Sequence, residues 1–402
     1  MTNPKPIRLN VQKAFVRALK LASGCMASIT VTAASFFARV LISTRVLAST
    51  RVLASILVLA STPVLTSKAL AEPLSTSATS LQAKEALGAR LFHDASLSSP
   101  AGQSCATCHG AAGAFADPGK VVSQGAVVGA FGHRNVPSLK YAKFSPAFTR
   151  RAGGDWIGGQ FWDGRANTLK EQALEPFYNP LEMNTTPAKL AKALRSASYQ
   201  AQIQAAYGEA VLQDDNALTL AAADALEAFQ KTEVFAPFDS KYDYARAGLV
   251  TLTPQEMRGE EVFNTEAACI DCHLGSINNQ EIFSRFVHHN ILVPRNPKLP
   301  FYQQPPSINP LGNAFVDIGT AANPKLNAEE KRLAKGLFKT PTLRNVALTA
   351  PYMHDGSQKT LEEVIEFYNQ GGEPNEWLDP NVNKLHLNED EKADLLAYMK
   401  AL

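Results

Sequence analysis

Cys105-Ala106-Thr107-Cys108-His109 and Cys269-Ile270-Asp271-Cys272-His273 share one pattern, two cysteines three positions apart with a histidine directly after. This is the c-type haem attachment pattern. Two thiols at that spacing reach both vinyl groups of one porphyrin, and the histidine that follows supplies the near ligand of its iron. A Cys-x-x-Cys pair on its own also serves redox dithiols and half-sites for zinc. Neither of those uses needs a histidine at the next position, and here it occurs twice. The chain has five cysteines, and four of them sit in these two motifs. We therefore read Cys105, Cys108, Cys269 and Cys272 as covalent attachment points for two haems, with His109 and His273 as iron ligands.

Working outward, the surroundings of the motifs repeat as well. Gly88-Ala-Arg-Leu-Phe92 precedes the first and Gly259-Glu-Glu-Val-Phe263 the second. Each half also ends on an amphipathic pattern, one through Ala217 to Phe229 and one from Asn388 to Leu402. Asn388 with Glu391 three residues on predicts a capping box for the last helix. Alternation of strand period is absent over any length. The expected fold is all-α, two tandem cytochrome c-like haem domains over 82–240 and 250–402, with the seam near Phe235–Leu252. Pro294–Gly312 is proline-rich and polar, and predicts a surface loop.

The net charge of +2 conceals an asymmetry, because residues 1–71 carry nine Lys/Arg and no Asp/Glu. Setting those nine aside leaves −7 for the remaining chain, which offers no basic face for nucleic acid. A charge-steered partner would be basic. Segment 1–71 combines a positive start, a repeated Arg-Val-Leu hexad at Arg39, Arg45 and Arg51, an apolar run from Val52 to Leu65 and Ala69-Leu70-Ala71. These are the parts of an export signal, and a periplasmic location is expected. An uncleaved anchor is the rival reading, although the apolar run is short against the roughly 20 residues of a membrane span.

Other segments then become legible. Phe161-Trp162-Asp163-Gly164-Arg165-Ala166, Leu169-Lys-Glu-Gln172-Ala173, Asn179-Pro-Leu-Glu182-Met183 and Leu343-Arg-Asn-Val-Ala-Leu-Thr349-Ala-Pro351-Tyr-Met-His354-Asp-Gly356 follow in order. Together with the haem motifs they resemble the bacterial di-haem cytochrome c peroxidases and the related MauG enzymes, over about residues 82–402. The resemblance implies that Trp162 lies between the two haems. It implies that Gln172 and Glu182 form the polar pair over the first, where a carboxylate carries a proton between the peroxide oxygens. It also implies a calcium ion between the domains, held by Asn135, Thr349 and Pro351, which would present hard oxygen ligands.

Two positions depart from the peroxidase pattern. A histidine is expected to close the first haem from the loop after its motif, but the chain reads Ser123-Gln124-Gly125-Ala126, with His133 seven residues further on. An open first iron is therefore expected, with His133 packed in its loop rather than ligating. Where the peroxidases have a methionine as far ligand of the second haem, this chain has Tyr368, the MauG pattern; Met353 is the alternative ligand. Phenolate favours ferric iron relative to a thioether. The surface tryptophan that MauG enzymes carry two residues before the second motif is here Ala267.

The implied activity is reduction of hydrogen peroxide, with electrons from a small cytochrome c or a cupredoxin. The first alternative is oxidative modification of a protein substrate, as in MauG. The second is an electron carrier without catalysis. A homodimer is compatible with all three.

Overall fold

The computed structural model describes residues 76–372 and 375–402. The expected export signal lies outside them. Among the described residues no helix is long and apolar enough to cross a membrane.

The fold is helix-rich. Its longer helices are α1 (Thr76–Phe92), α2 (Leu169–Tyr178), α3 (Pro187–Ser196), α4 (Gln200–Tyr207), α5 (Asp215–Gln230), α6 (Pro254–Asn264), α7 (Leu361–Gln370) and α8 (Glu389–Met399). The sequence states why they start where they do. Thr168, Thr186, Asp214 and Thr360 each accept a backbone N–H from the first turn of the helix that follows. Thr253 with Glu256 and Asn388 with Glu391 form reciprocal capping boxes, the second as the sequence predicts. Among the described residues, strand is confined to three two-residue ladders: β1 (Thr149–Arg150) with β2 (Trp156–Ile157), β3 (Ser276–Ile277) with β4 (Gln280–Glu281), and β5 (His288–His289) with β6 (Phe338–Lys339).

Among the described residues, two of the hydrophobic cores draw on different stretches of the chain. One gathers Leu87, Leu91, Phe92, Phe177, Leu190, Leu194, Leu226 and Phe235. The other gathers Tyr242, Val262, Phe263, Phe283, Leu343, Ile365, Leu395 and Tyr398. The repeated glycines explain why each core closes alike. A methyl group on Gly88 would lie 2.0 Å from the Ala225 carbonyl oxygen of α5, and one on Gly259 would lie 1.9 Å from the Asp394 carbonyl oxygen of α8. Only a residue without a side chain lets the opening helix of each half cross its closing helix at that separation.

Arg344 is 1% exposed. Its guanidinium lies 4.9 Å from the Phe238 ring, 5.4 Å from Phe283 and 5.5 Å from Tyr141, and pairs with Asp243 at 2.5 Å. A cation packed against aromatic faces is stabilised by their quadrupoles.

The 294–312 segment differs from the expected surface loop. Leu299, Phe301 and Tyr302 are buried and pack with Val122 in a small core of their own. The polar and proline residues on either side mask that apolar triplet in a composition-based reading.

Candidate functional site

One cavity of about 740 Å³ runs through the described chain, and every candidate haem, catalytic and calcium residue named from the sequence lines it. Its wall carries Cys105, Cys108, His109, Cys269, Cys272 and His273 of the two motifs. It also carries Trp162, Gln172, Glu182 and Tyr368, the oxygen-donor trio Asn135, Thr349 and Pro351, and the alternatives His133 and Met353.

The two motifs are built alike. Each begins a single helical turn, Cys105–Cys108 and Ile270–His273. In each, the histidine Nδ1 lies within hydrogen-bond distance of the carbonyl of a core phenylalanine, His109 with Phe115 at 2.7 Å and His273 with Phe283 at 3.0 Å. A carbonyl can only accept, so Nδ1 carries the proton and Nε2 keeps its lone pair. Metal-bound histidines are oriented by such a partner on the far nitrogen. Burial lowers the pKa of both rings, that of His273 to about 4, so both are neutral.

The donor chemistry fits two haems. The four motif cysteines are free thiols. Burial pushes Cys105 and Cys269 up to about 12, so the sulfurs are neutral and protonated. Gln103 Oε1, Gln230 Oε1, His289 Nε2 and Arg344 Nη2 are buried polar atoms without a hydrogen-bond partner, and all four residues line the cavity. Orphaned polar atoms around an apolar hollow are expected where a polar-edged cofactor belongs.

Glu182 lies just beyond α2. Its Oε1 accepts the Asn179 side-chain amide at 2.7 Å, and its backbone carbonyl accepts Ala126 N–H at 2.7 Å. Burial raises its carboxyl pKa, partly offset by the Asn179 amide and the Arg165 charge. Gln172 sits one turn ahead of Pro176 within α2.

Trp162 donates its indole N–H to the Asn135 carbonyl at 2.9 Å. The Asn135 side-chain amide donates to Lys120 and Val121 carbonyls at 3.1 and 3.0 Å, which leaves Oδ1 as its remaining acceptor. The Ala350 carbonyl accepts Gly119 N–H, whereas those of Thr349 and Pro351 accept no backbone N–H from the described loops. The trio thus presents uncommitted oxygens of the kind a hard cation takes.

His133 packs between the Phe301 and Phe315 rings, both with centroids 5.0 Å away, and its Nε2 is 3.5 Å from Asp317. The packed-loop expectation matches this arrangement. Tyr368, on α7, is half-buried, and desolvation raises its phenol pKa. Ala267 is 6% exposed and belongs to the second core, so no surface group stands there.

Sequence reading missed several cavity residues. His289 Nδ1 pairs with Asp379 at 2.6 Å, and Lys339, on β6, turns its ammonium to the Gly159 carbonyl. Arg134 bridges Asp163 at 2.6 Å and Asp317 at 2.6 Å. Single charged residues in loops carry no periodic signal, and only the fold reveals which of them face inward.

Residues 82–250 match the family described as di-haem cytochrome c peroxidase. The methylamine utilization protein MauG of Paracoccus denitrificans (strain Pd 1222) is 44% identical over 296 residues, covering 71% of this chain and 74% of that protein. The cytochrome c peroxidase Ccp of Escherichia coli (strain K12) is 33% identical over 316 residues, covering 75% of this chain and 57% of that one. Among solved structures, the diheme peroxidase BthA from Burkholderia thailandensis E264 matches with a TM-score of 0.72 at 31% identity, covering 79% of this chain and 85% of that one. With paired haem motifs on one cavity and relatives of this extent, the chain belongs to the di-haem cytochrome c peroxidase and MauG family.

Proposed function

We propose that this chain reduces hydrogen peroxide to water, taking two electrons and two protons per peroxide, with the electrons supplied by a small cytochrome c or a cupredoxin. In this reading residues 82–240 form a peroxide-reacting haem domain and residues 250–402 an electron-receiving one, each cytochrome c-like. Segment 1–71 directs the chain to the periplasm. The observation that carries the reading is the pair of neutral, identically oriented histidines on one cavity, with a desolvated carboxyl, Glu182, on the same wall.

Haem, when bound, supplies the iron that takes up peroxide and the redox equivalents that cleave the O–O bond. The chain's own residues do the rest. Cys105 and Cys108 hold one haem, and Cys269 and Cys272 the other. His109 and His273 present Nε2 as near ligands. Glu182 accepts a proton from the near peroxide oxygen and returns one to the far oxygen. Its raised pKa suits both halves of that exchange, because a strong acid would not take the proton. Asn179 steadies the carboxyl and Gln172 orients it. Trp162, tied by its N–H to Asn135, lines the same cavity and would lie between the two haems. Asn135 Oδ1 with the Thr349 and Pro351 carbonyls would hold calcium.

A second reading, oxidation of a protein partner's side chain, is favoured by Tyr368 on the cavity wall and by Ala126 in place of a closing histidine. The buried Ala267 weighs against the form of that chemistry that uses a surface tryptophan. Steady-state turnover with peroxide and reduced cytochrome c separates the two. Rapid oxidation of the cytochrome supports peroxide reduction, and its absence in a protein carrying two covalent haems would overturn it. Electron paramagnetic resonance of the ferric protein reports the far ligands, with one high-spin and one low-spin centre expected.

A further inference from the structure

We infer that Lys339 is a positioning residue whose side-chain ammonium binds a haem propionate carboxylate in this cavity. The inference rests on the two-haem reading of the cavity.

Lys339 closes the β5–β6 ladder, opposite His288. Its backbone N–H donates to the Trp162 backbone carbonyl at 2.9 Å, which ties the strand to the Trp162 main chain. Its side chain turns to the first half, where Nζ donates to the Gly159 carbonyl at 2.5 Å and lies 3.4 Å from Ser145 Oγ. An ammonium has three donors. Two are directed at these neutral acceptors, and the residue lines the cavity with the third uncommitted.

The charges around Lys339 do not answer it. Asp163 is the carboxylate that acts on it through space, yet Asp163 is already shared by Arg134 at 2.6 Å and Arg165 at 2.9 Å. Arg134 in turn is held by Asp317. His288 has Nδ1 2.6 Å from Thr320 Oγ1 and Nε2 3.0 Å from the Gly158 carbonyl, and burial keeps the ring neutral. The Phe286 ring, 6.0 Å away, offers only its face. Burial therefore depresses the lone ammonium to about 8. A buried charge is stable only when paired. The anions that the bound state brings into this cavity are the propionate carboxylates of haem.

Pairing would place a fixed positive charge beside one haem and favour its reduced form. It would also hold that haem edge against the strand that carries the Trp162 carbonyl bond. The test uses the full two-haem protein and the variants Lys339→Gln and Lys339→Arg, with covalent haem counted by the pyridine haemochrome spectrum and both midpoint potentials measured by spectroelectrochemistry. With two haems attached, Lys339→Gln should lower one midpoint potential while leaving the other in place, and electron transfer between the haems should slow at least threefold. Lys339→Arg should restore the potential. The haem that moves identifies the partner. The wild-type potentials should show no step near pH 8, because a paired ammonium stays charged beyond it. Unchanged potentials in Lys339→Gln, or a wild-type step centred near pH 8, would overturn the assignment. Failure to attach two haems to the wild-type protein would instead strike the reading beneath it. If Lys339→Gln does not fold, the wild-type titration and Lys339→Arg still decide.

Discussion

Replacing Glu182 with glutamine isolates the proton-carrying role from everything else the residue does. Glutamine has nearly the same shape, and its Oε1 can still accept the Asn179 amide that Glu182 receives at 2.7 Å. The Ala126 N–H bond to the residue-182 carbonyl involves the backbone alone and survives. Only the titratable proton is lost. A positioned general acid–base contributes ~10²–10⁴-fold, or roughly 3–5 kcal/mol at 1.36 kcal/mol per tenfold. The expected fall in kcat/KM for peroxide is therefore about two to four orders of magnitude, with both haems attached and the resting spectrum unchanged. The pH profile carries an independent sign. Burial raises the Glu182 pKa above the ordinary glutamate range. Accepting a proton requires the ionised form, so wild-type activity should fall on the acid side at a pH above that range, and E182Q should lose this limb. For stability the sign is opposite to that of an ion-paired carboxylate. The folded chain binds this proton more tightly than the unfolded chain, so Glu182 contributes fully below the unfolded pKa and progressively less as pH rises through the folded one. The assay is stopped-flow reaction of the ferric protein with peroxide across pH 4–8. A kcat/KM within tenfold of wild type, or an acid limb that persists in E182Q, would refute the role.

Three further outcomes follow from the same geometry. Gly88→Ala and Gly259→Ala each force a methyl group onto a carbonyl oxygen at 2.0 and 1.9 Å, and overpacking of this kind costs about 1–3 kcal/mol; calorimetry should show a lower Tm for each, and an unchanged Tm would mean that the helix crossing is not tight. Tyr368→Met replaces a hard anionic donor by a thioether, so the midpoint potential of the second haem should rise and its electron paramagnetic resonance signal change; a potential that stays put would remove Tyr368 as ligand and favour Met353. Chelation by EGTA should depress peroxide turnover and added calcium should restore it, with no effect of magnesium, which demands tighter octahedral geometry; indifference to EGTA would leave Asn135, Thr349 and Pro351 as loop structure.

The sequence was most legible where chemistry requires a rigid spacing. Cys-x-x-Cys-His admits few uses, and the glycine-to-phenylalanine spacing repeats because the same helix crossing occurs twice. The capping box at Asn388 was readable because it is local to four residues. The burial of Leu299, Phe301 and Tyr302 was not, since their partner Val122 lies far away in the chain and the intervening prolines imitate a loop. Lys339, His289 and Arg344 escaped for a related reason. Nothing in a local window distinguishes a solvated cation from one that a distant segment encloses. His133 packs in its loop, but of the two rings that hold it Phe301 comes from that same segment and Phe315 from just beyond it, and neither is marked by the local sequence.

The bonds from His109 to Phe115 and from His273 to Phe283 tie metal ligation to core packing. Both acceptor carbonyls belong to residues whose side chains sit in the two cores, so a shift of either phenylalanine's backbone would loosen the bond that orients its histidine. Colour becomes a gauge of architecture. A conservative truncation such as Phe115→Leu should disturb the first haem's absorption band while circular dichroism still reports intact helices, and Phe283→Leu should do the same for the second haem alone. Each chromophore thus reads out the integrity of its own half, and the order in which the halves loosen on heating can be followed by eye.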